Sequence, residues 1–477
     1  MQSSLLSILM PVYNEEEFIS AILDRVLSAP LPEISGTAMK RELIIVDDAS
    51  TDGSLETIQE YIDRHPSAAI RLIQHDRNQG KGAAVRTALE HASGEYSIIQ
   101  DTDLEYNPRE YPNMLRPLLE GDADVVYGSR FLVAGERRVL YFWHAFANRV
   151  LTTVCNIVAD LNLTDMETCY KAFRTALAQS IPLHSKRFGI EPELTIKFAK
   201  REARIYEIPI GYSGRTYEEG KKIGLKDAFA ALAVIVRYSV SADIYKEHGP
   251  DILDTLSRAK HFNRWMADTV SPYLGKEVLE LGAGMGNLTR ILASRRRRYI
   301  ATDIDVEHLS RLQARLHHRP NIETAICDLS RMEDFEPWRD KVDSVVCLNV
   351  LEHIEDDMSG LRNIRGCLKP GGRAIILVPQ GPAVYGTLDE VLGHFRRYSK
   401  PELEQKMKLA GYRVERILDF NRITYPGWYV NGRVLRRRHF SRLQLGIFDR
   451  LVWMWRRIDS LIPWPPTSII GIGSRDC

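Results

Sequence analysis

None of the six cysteines forms a CxxC pair or any zinc-like spacing: Cys155, Cys169, Cys327, Cys347, Cys367 and Cys477 are scattered along 477 residues. That argues against a zinc ribbon or a thioredoxin-type redox pair, and it leaves reduced thiols in a cytoplasmic protein as the expectation. Charge of one sign is also missing. Lys and Arg number 64 and Asp and Glu 63, a formal net charge of +1, so bulk electrostatics gives no reason to expect nucleic acid as a partner. Long hydrophobic runs are absent. The strongest, Ala228–Val236, is closed by Arg237 and falls far short of the roughly 20 residues a membrane span needs. The opening stretch MQSSLLSILMPVYNEEE lacks the basic region of a secretory leader, so none is expected. No sequence repeat is found.

What is present is the composition of an ordinary globular chain, 44% apolar and 27% charged. At about 100–200 residues per domain, the length suggests two to four domains. Residues 5–12 read as a buried strand, followed by a turn opening into a helix. RELIIVDDAS, IRLIQH and YSIIQDTD read as further strands, separated by the helical segments SLETIQEYIDRH and AAVRTALEHA. Strands alternating with helices predict an α/β domain with a mainly parallel sheet. Ligands of such sheets bind beyond the carboxyl ends of the strands, where Asp47, Asp48, Asp101 and Asp103 fall. The rhythm restarts at KEVLELGAGMGN and runs through RYIATDID, NIETAICDLS, VDSVVCLNVLEH and GGRAIILVP, a second α/β domain. The expected division is residues 1–240, a helical connector 241–275, a second domain 276–417 and a C-terminal extension 418–477.

In the first domain, Asp101-Thr102-Asp103 places two carboxylates at i and i+2 after a strand. Such a pair suits one hard divalent cation, magnesium or manganese, bridging the pyrophosphate of a sugar nucleotide; a solvated loop is the alternative for the pair alone. The context is SILMPVYNEEE, VDDASTDGS, NQGKGAAVRTAL, QDTDLEYNP and YGSRF in order, then LTDMETCYKAF, GIEPELTIK and EIPIGYSGRTYEEGKKIGLKD. Together these motifs, over roughly residues 5–240, resemble family 2 glycosyltransferases of the GT-A fold. They look like the branch related to dolichol-phosphate mannose synthases and other polyprenyl-phosphate glycosyltransferases. The resemblance implies that Pro11, Tyr13, Glu15, Asp48 and Lys81 line a nucleotide-sugar pocket with Asp101. It implies that Asp101 and Asp103 face metal and diphosphate, and that Arg130 and Arg215 hold phosphate groups, assisted by Lys221 and Lys222. An anionic polyprenyl phosphate acceptor needs no general base; a glycan hydroxyl does, and Asp165, Glu167, Glu191 and Glu193 are then the candidates.

In the second domain, VLELGAGMGNLTR supplies Glu280, Gly282, Gly284 and Gly286, glycines that let a backbone approach a cofactor and open a helix. Taken alone, the loop fits a dinucleotide as well as S-adenosylmethionine. Asp303 ends the next strand, suited to ribose hydroxyls, and Asp328 the third, suited to an adenine amino group. NVLEHIEDD, beginning at Asn349, follows the fourth strand, and LKPGGRAIILVP closes the series. The series resembles class I S-adenosylmethionine-dependent methyltransferases over residues 275–415, a Rossmann-like fold, and implies that Asn349 belongs to the cofactor site. Methyl transfer chiefly requires alignment. Glu352, His353 and His394 are candidate bases for a hydroxyl or amine acceptor, and His394, Arg396, Arg397 and Tyr398 are candidates to meet an anionic or sugar substrate.

The Trp- and Arg-rich stretch FDRLVWMWRRIDSLIPW reads either as a helix packed on the second domain or as a peripheral contact on the cytoplasmic membrane face. The whole chain is expected to be bifunctional: inverting, metal-dependent transfer from a nucleoside-diphosphate sugar, plus methyl transfer in the same glycan or lipid pathway. The alternatives are a glycan acceptor in cell-surface polysaccharide assembly, or one domain acting only as a binding module.

Overall fold

The computed structural model describes residues 4–34, 37–132, 139, 141–214, 225–241, 243–246, 259–316, 318–437 and 442–476. The chain divides into two compact units, Met1–Lys246 and Glu247–Cys477.

The first unit holds a seven-stranded sheet of β1 (Leu5–Val12), β4 (Lys40–Asp47), β5 (Ile70–Gln74), β6 (Tyr96–Ile99), β7 (Val125–Ser129), β8 (Lys171–Arg174) and β9 (Ile205–Pro209). A short hairpin, β2 (Glu33–Ile34) and β3 (Thr37–Ala38), stands apart. The sheet order is β5-β4-β1-β6-β8-β7-β9. All pairs are parallel except those of β8, which runs against both β6 and β7. β1, β4 and β6 are central strands and carry near-continuous apolar runs, as strands covered on both faces require. β1 and β4 end level, with Val12 opposite Asp47, so the residues that follow them share one rim. Helices α1 (Ile19–Ser28), α2 (Ser54–Arg64), α3 (Lys81–Glu90), α4 (Tyr111–Leu119), α5 (Phe142–Ala159), α6 (Thr175–Gln179), α7 (Ile190–Lys200) and α8 (Leu225–Val240) complete this unit. α5, α7 and α8 pack on one another around Cys155, Met166, Ile196, Ile235 and Tyr238.

The second unit is built on β10 (Glu277–Leu281), β11 (Arg298–Asp303), β12 (Ile322–Ile326), β13 (Val342–Leu348), β14 (Leu368–Pro379), β15 (Tyr412–Phe420) and β16 (Ser468–Arg475). The order is β12-β11-β10-β13-β14-β16-β15, and only β16 is antiparallel to its neighbours. Its helices are α9 (Lys260–Val270), α10 (Thr289–Leu292), α11 (Val306–Leu316), α12 (Asp357–Cys367), α13 (Thr387–Leu392), α14 (Lys400–Leu409), α15 (Tyr425–Tyr429), α16 (Arg442–Arg450) and α17 (Val452–Ile458). β16 reads SIIGIGSR, and its glycines have a packing reason. A Cβ at Gly471 would stand 2.6 Å from Met407 Sδ, and one at Gly473 would stand 2.8 Å from Met407 Cε, so α14 lies on the strand only because those side chains are missing.

Two boundaries differ from the sequence reading. The stretch 241–275 is split: Ile244 is buried in the first unit, whereas α9 sends Trp265, Met266 and Val270 into the core of the second. The residue 417/418 boundary falls inside β15, and the segment beyond it returns to the sheet as β16. The cause is long-range pairing. β16 lies between two strands that precede it by some 50 residues or more, which no local pattern reveals. The helices of that segment pack on α9, whose first turn is capped by Asp449: its carboxylate accepts from Phe262 N at 2.8 Å. Arg456 Nη1 reaches Asp268 at 2.7 Å. Among the described residues, no helix is long and apolar enough to cross a membrane.

Candidate functional sites

In the first unit the strand-end loops are tied to one another by side chains. Asn14, at a positive φ of 54°, donates its N–H to Ser50 Oγ at 3.1 Å and accepts from Thr51 N at 2.8 Å. Glu15 N donates to Ser54 Oγ at 2.9 Å. Asp48 is buried; its carboxylate accepts from Gln79 N at 2.9 Å and Gly80 N at 2.6 Å, and it meets His75 Nδ1 at 2.7 Å. Asp48 therefore fixes the turn that opens α3 at Lys81. Pro11 lies inside β1, while Tyr13 is 39% exposed on the rim.

Lys81 Nζ donates to Asp101 Oδ2 at 3.0 Å and lies 3.4 Å from Glu191 Oε1. Burial alone would lower the Lys81 ammonium; the charges of Asp101, Cys169 and Glu191 outweigh it and hold it well above the usual lysine value. Asp101 is positioned through its neighbour. Gln100 is fully buried, takes hydroxyl hydrogen bonds of 2.7 Å from Tyr111 and Tyr170, and donates to the Asp101 carbonyl at 2.9 Å. Asp103 Oδ1 accepts from Glu105 N at 3.2 Å. Glu105 in turn accepts from Tyr212 Oη at 2.6 Å, and the Arg130 guanidinium lies over the Tyr212 ring, 5.2 Å from its centroid. Ser213 N bonds the Glu105 carbonyl at 3.0 Å, which brings the chain leading to residue 215 beside the two acids. Arg215, Lys221 and Lys222 themselves lie outside the described residues.

Arg130 makes a bidentate pair with Asp165, Nε to Oδ2 at 2.7 Å and Nη2 to Oδ1 at 2.8 Å, and Asn148 adds a bond of 2.9 Å. Burial works to raise the Asp165 carboxyl, and Arg130 overrides it, holding it below the usual range. Glu193 is held low in the same way, by Lys197 against burial, and anchors His184 N and Ser185 N. Glu191 pairs with Lys171, a fully buried lysine that sequence reasoning missed. It lies in the strand segment KAFR, where nothing local separates it from a surface lysine. Glu167 differs from Asp165 and Glu193. Its Oε1 is enclosed without a partner among the described residues, and burial, with Glu191 nearby, pushes the carboxyl up to about 7.

In the second unit the glycine loop follows β10. Gly282, Gly284 and Gly286 all have positive φ, at 71°, 53° and 80°. A Cβ on Gly282 would strike Val350 Cγ2 at 2.4 Å, whereas one on Gly284 would meet nothing within 4 Å. Gly284 N donates to Asp303 Oδ2 at 2.7 Å, and Asp305 N to Asp303 Oδ1 at 3.0 Å. Against burial, His308 and these two N–H groups hold Asp303 below the usual range. Glu280 is buried, accepts from Thr289 Oγ1 at 2.6 Å, and is pushed by burial up to about 7. Asp328 Oδ1 accepts from Ser330 Oγ at 2.6 Å and Ser330 N at 2.9 Å, so it also organises its own turn. Asn349 is exposed at φ 55°, just past β13. The structure thus sets Glu280, Gly282, Gly284, Gly286, Asp303, Asp328 and Asn349 along the carboxyl ends of β10 to β13. Arg397, a candidate substrate contact, is instead buried on Asp389 at 2.7 Å, and Tyr398 Oη donates to Asp357 at 2.8 Å.

Comparison with known proteins places both units. Residues 7–181 match the model of Glycosyl transferase family 2, and residues 279–374 match that of a Methyltransferase domain. The first unit thus carries a domain matching the family 2 glycosyltransferase model, and the second carries one matching a methyltransferase model. Among its relatives, the dolichol-phosphate mannosyltransferase of Pyrococcus furiosus is 26% identical over 233 residues, covering 48% of this chain and 62% of its own. The undecaprenyl-phosphate 4-deoxy-4-formamido-L-arabinose transferase of Aeromonas hydrophila is 28% identical over 217 residues, covering 46% and 62%. The dodecaprenyl-phosphate galacturonate synthase of Rhizobium johnstonii is 25% identical over 232 residues, covering 48% and 65%. The chain spans a little under two thirds of the length of each of these relatives.

Proposed function

We propose that this protein is a bifunctional transferase. Its first domain moves a sugar from a nucleoside diphosphate to polyprenyl phosphate, with inversion, and its second methylates a product of the same glycan or lipid pathway. The observation that carries the first part is the carboxylate Asp101, fixed through Gln100 and met by Lys81 at a strand end. Asp101 and Asp103 are both partly exposed, and two hard oxygen donors two residues apart suit magnesium or manganese. An ion held there would neutralise the departing diphosphate. Pro11, Tyr13, Glu15 and Asp48 would line the nucleotide, with Lys81 beside its phosphates. Arg130 and Arg215 would meet phosphate on the acceptor side, Arg130 with its orientation set by Asp165. The three relatives above, all named for polyprenyl- or dolichol-phosphate chemistry, support this acceptor.

For the methyltransferase domain, the positive-φ glycine loop, with nothing within 4 Å of a Cβ at Gly284, supports S-adenosylmethionine as the cofactor. The cofactor supplies the methyl group on its sulfonium. Asp303 would take the ribose hydroxyls, Asp328 the adenine amino group, and Glu280, Gly282, Gly286 and Asn349 would complete the pocket. A second reading for the first domain, transfer to a glycan hydroxyl, is favoured by Glu167, whose value of about 7 suits a general base.

A turnover screen decides between them. Purified chain with magnesium or manganese is given UDP- and GDP-sugars and either polyprenyl phosphate or a glycan acceptor. Transfer to lipid phosphate that survives Glu167→Gln supports the first reading. Transfer only to glycan, abolished by Glu167→Gln, establishes the second. Titration calorimetry with S-adenosylmethionine tests the other domain; no binding removes its methyltransferase role.

A further inference from the structure

A cluster in the second unit lies outside the glycine-loop pocket described above. β13 runs into a short turn containing Glu352 and His353, and 41 residues after His353, behind α13, comes His394. Backbone bonds lock the two segments together: Phe395 N donates to the Glu352 carbonyl at 2.8 Å. Gly393, at φ 75°, makes the reversal that allows it. One ligand atom from each of Glu352, His353 and His394 lies within 4.8 Å of the others. The two imidazoles meet edge to face, with centroids 4.8 Å apart.

Three features set this cluster apart from a packed polar core. His394 Nδ1 lies 2.9 Å from Asp389 Oδ1, and a carboxylate there keeps the proton on Nδ1. The His394 Nε2 lone pair is then left facing Glu352 Oε1 at 4.0 Å. Asp389 is itself held by Arg397 Nε at 2.7 Å, Gly386 N at 3.1 Å and Trp428 Nε1 at 3.3 Å. That is the outer carboxylate arrangement by which proteins orient a metal-binding histidine. Last, Glu352 is 0% exposed, and among the described residues neither of its carboxylate oxygens has a hydrogen-bond partner. A buried carboxyl facing a lone pair is costly unless a proton or a metal cation lies between them, and the two imidazoles converging on the same point favour the cation.

We propose that Glu352, His353 and His394 bind a divalent transition-metal ion, with Asp389 orienting His394. Two imidazoles and a carboxylate favour zinc, manganese, iron or cobalt over calcium or magnesium. Ligand atoms about 2.1 Å from one ion stand roughly 3–4 Å apart, so side-chain rotations of about 1 Å close the set around it. Three protein ligands leave open positions, as in catalytic rather than structural metal sites. Resting on the methyl-transfer reading, the ligand that fills an open position is the hydroxyl of the methyl acceptor. An ion held by Glu352, His353 and His394 would lower the pKa of that hydroxyl so that it gives up its proton more readily. The oxygen then forms a bond to the methyl carbon as the carbon–sulfur bond breaks, its electron pair returning to sulfur.

The test uses the full-length chain carrying Asp101→Asn and Asp103→Asn, which removes the acids of the first domain. The chain is stripped with chelator and reloaded with cobalt(II). Bound ion is counted by mass spectrometry and its coordination read from the visible cobalt spectrum. One ion per chain is expected, with a spectrum lost in His394→Ala and Glu352→Gln and an affinity about 10–100-fold weaker in Asp389→Asn. His353→Asn serves as a milder second probe, and the melting temperature of each stripped variant controls for folding. No retained ion, or a spectrum that His394→Ala and His353→Asn leave unchanged, overturns the site. A chain that binds cobalt through these residues but takes no S-adenosylmethionine sustains the metal site and removes the methyl-transfer reading alone.

Discussion

Both units bury acids around their proposed sites, and the most buried of them are compensated differently. In the first unit Asp101 meets Lys81, Glu191 meets Lys81 and Lys171, and Asp165 meets Arg130. In the second, Glu280 and Glu352 are buried with no lysine or arginine in contact among the described residues, and burial pushes them up to about 7 and about 8. The difference follows from what each site is proposed to receive. A diphosphate needs cations and metal-binding acids arranged before it arrives, because dipoles and charges fixed in advance cost no reorganisation when it binds. A site for a sulfonium cofactor or a metal ion gains from carboxylates that nothing else has neutralised. Glu167 is the exception that locates the boundary: it shares the crowded network of the first unit, with Lys171 and Arg130 acting only at a distance and no partner for its Oε1 among the described residues.

The largest effect should come from removing the acids of the first rim. Asp101→Asn with Asp103→Asn is expected to lower glycosyl transfer by about 10³-fold, the scale of losing preorganised charge stabilisation. S-adenosylmethionine affinity, read by calorimetry, should stay put. A parallel fall in that affinity would break the comparison, since it would make one site answer to the charges of the other.

Arg130→Ala comes next. It leaves Asp165 buried without its cation, and breaking such a pair costs about 3–5 kcal/mol. Urea unfolding followed by hydrogen exchange of peptides from each unit should show the first unit melting earlier and the second unmoved. Equal destabilisation of both would sink the idea that the ion pairs are local to the first site.

A smaller, sharper contrast lies within the glycine loop. Gly282→Ala places a Cβ 2.4 Å from the stiff, β-branched Val350 and should cost about 1–3 kcal/mol in overpacking, beyond its backbone strain. Gly284→Ala meets nothing and bears only the strain of its left-handed backbone, about 1–2 kcal/mol. It should instead weaken S-adenosylmethionine binding, because the new methyl occupies the side the cofactor approaches. Thermal melting and calorimetry on both variants separate the two; a Gly284→Ala protein with undiminished affinity would move the cofactor away from this loop.

These contrasts also mark how far the sequence is legible. The central strands of both sheets are readable because parallel strands covered on both faces are apolar runs, and the glycine loop because its backbone demands glycine at three positions. Partnerships across long stretches of chain are not readable. Arg130 looks like a free phosphate ligand until Asp165, 35 residues on, is found clasping it. Lys171 looks like a surface lysine until the fold buries it against Glu191. β16 looks like a tail until it pairs with β14 and β15. In each case the missing term is tertiary: the energy lies in a contact whose second half is far away in sequence.

The smallest effect is a slope. Glu280 has an ordinary value of 4.5 and is raised by burial to about 7 in the folded chain. Between those values the unfolded chain has released the proton that the folded chain keeps, so unfolding gains ground as pH rises. The stabilising contribution is therefore complete below about pH 4.5 and gone above about pH 7, changing by at most about 1.4 kcal/mol per pH unit for one proton. Six of the seven tryptophans lie in the second unit, all but Trp143, so fluorescence-detected urea melting reports chiefly on that unit. His353, pushed down by burial to about 4, contributes a slope of the opposite sign, so the test is a difference: from pH 5 to 7 the midpoint should fall more, or rise less, for the native chain than for Glu280→Gln, which has no proton to lose. Glu352 adds a slope of the same sign as Glu280, so the variant removes that slope only in part. Parallel curves for native and Glu280→Gln chains would mean that Glu280 is already ionised, and the contrast between a compensated rim and an uncompensated one would then rest on Glu352 alone.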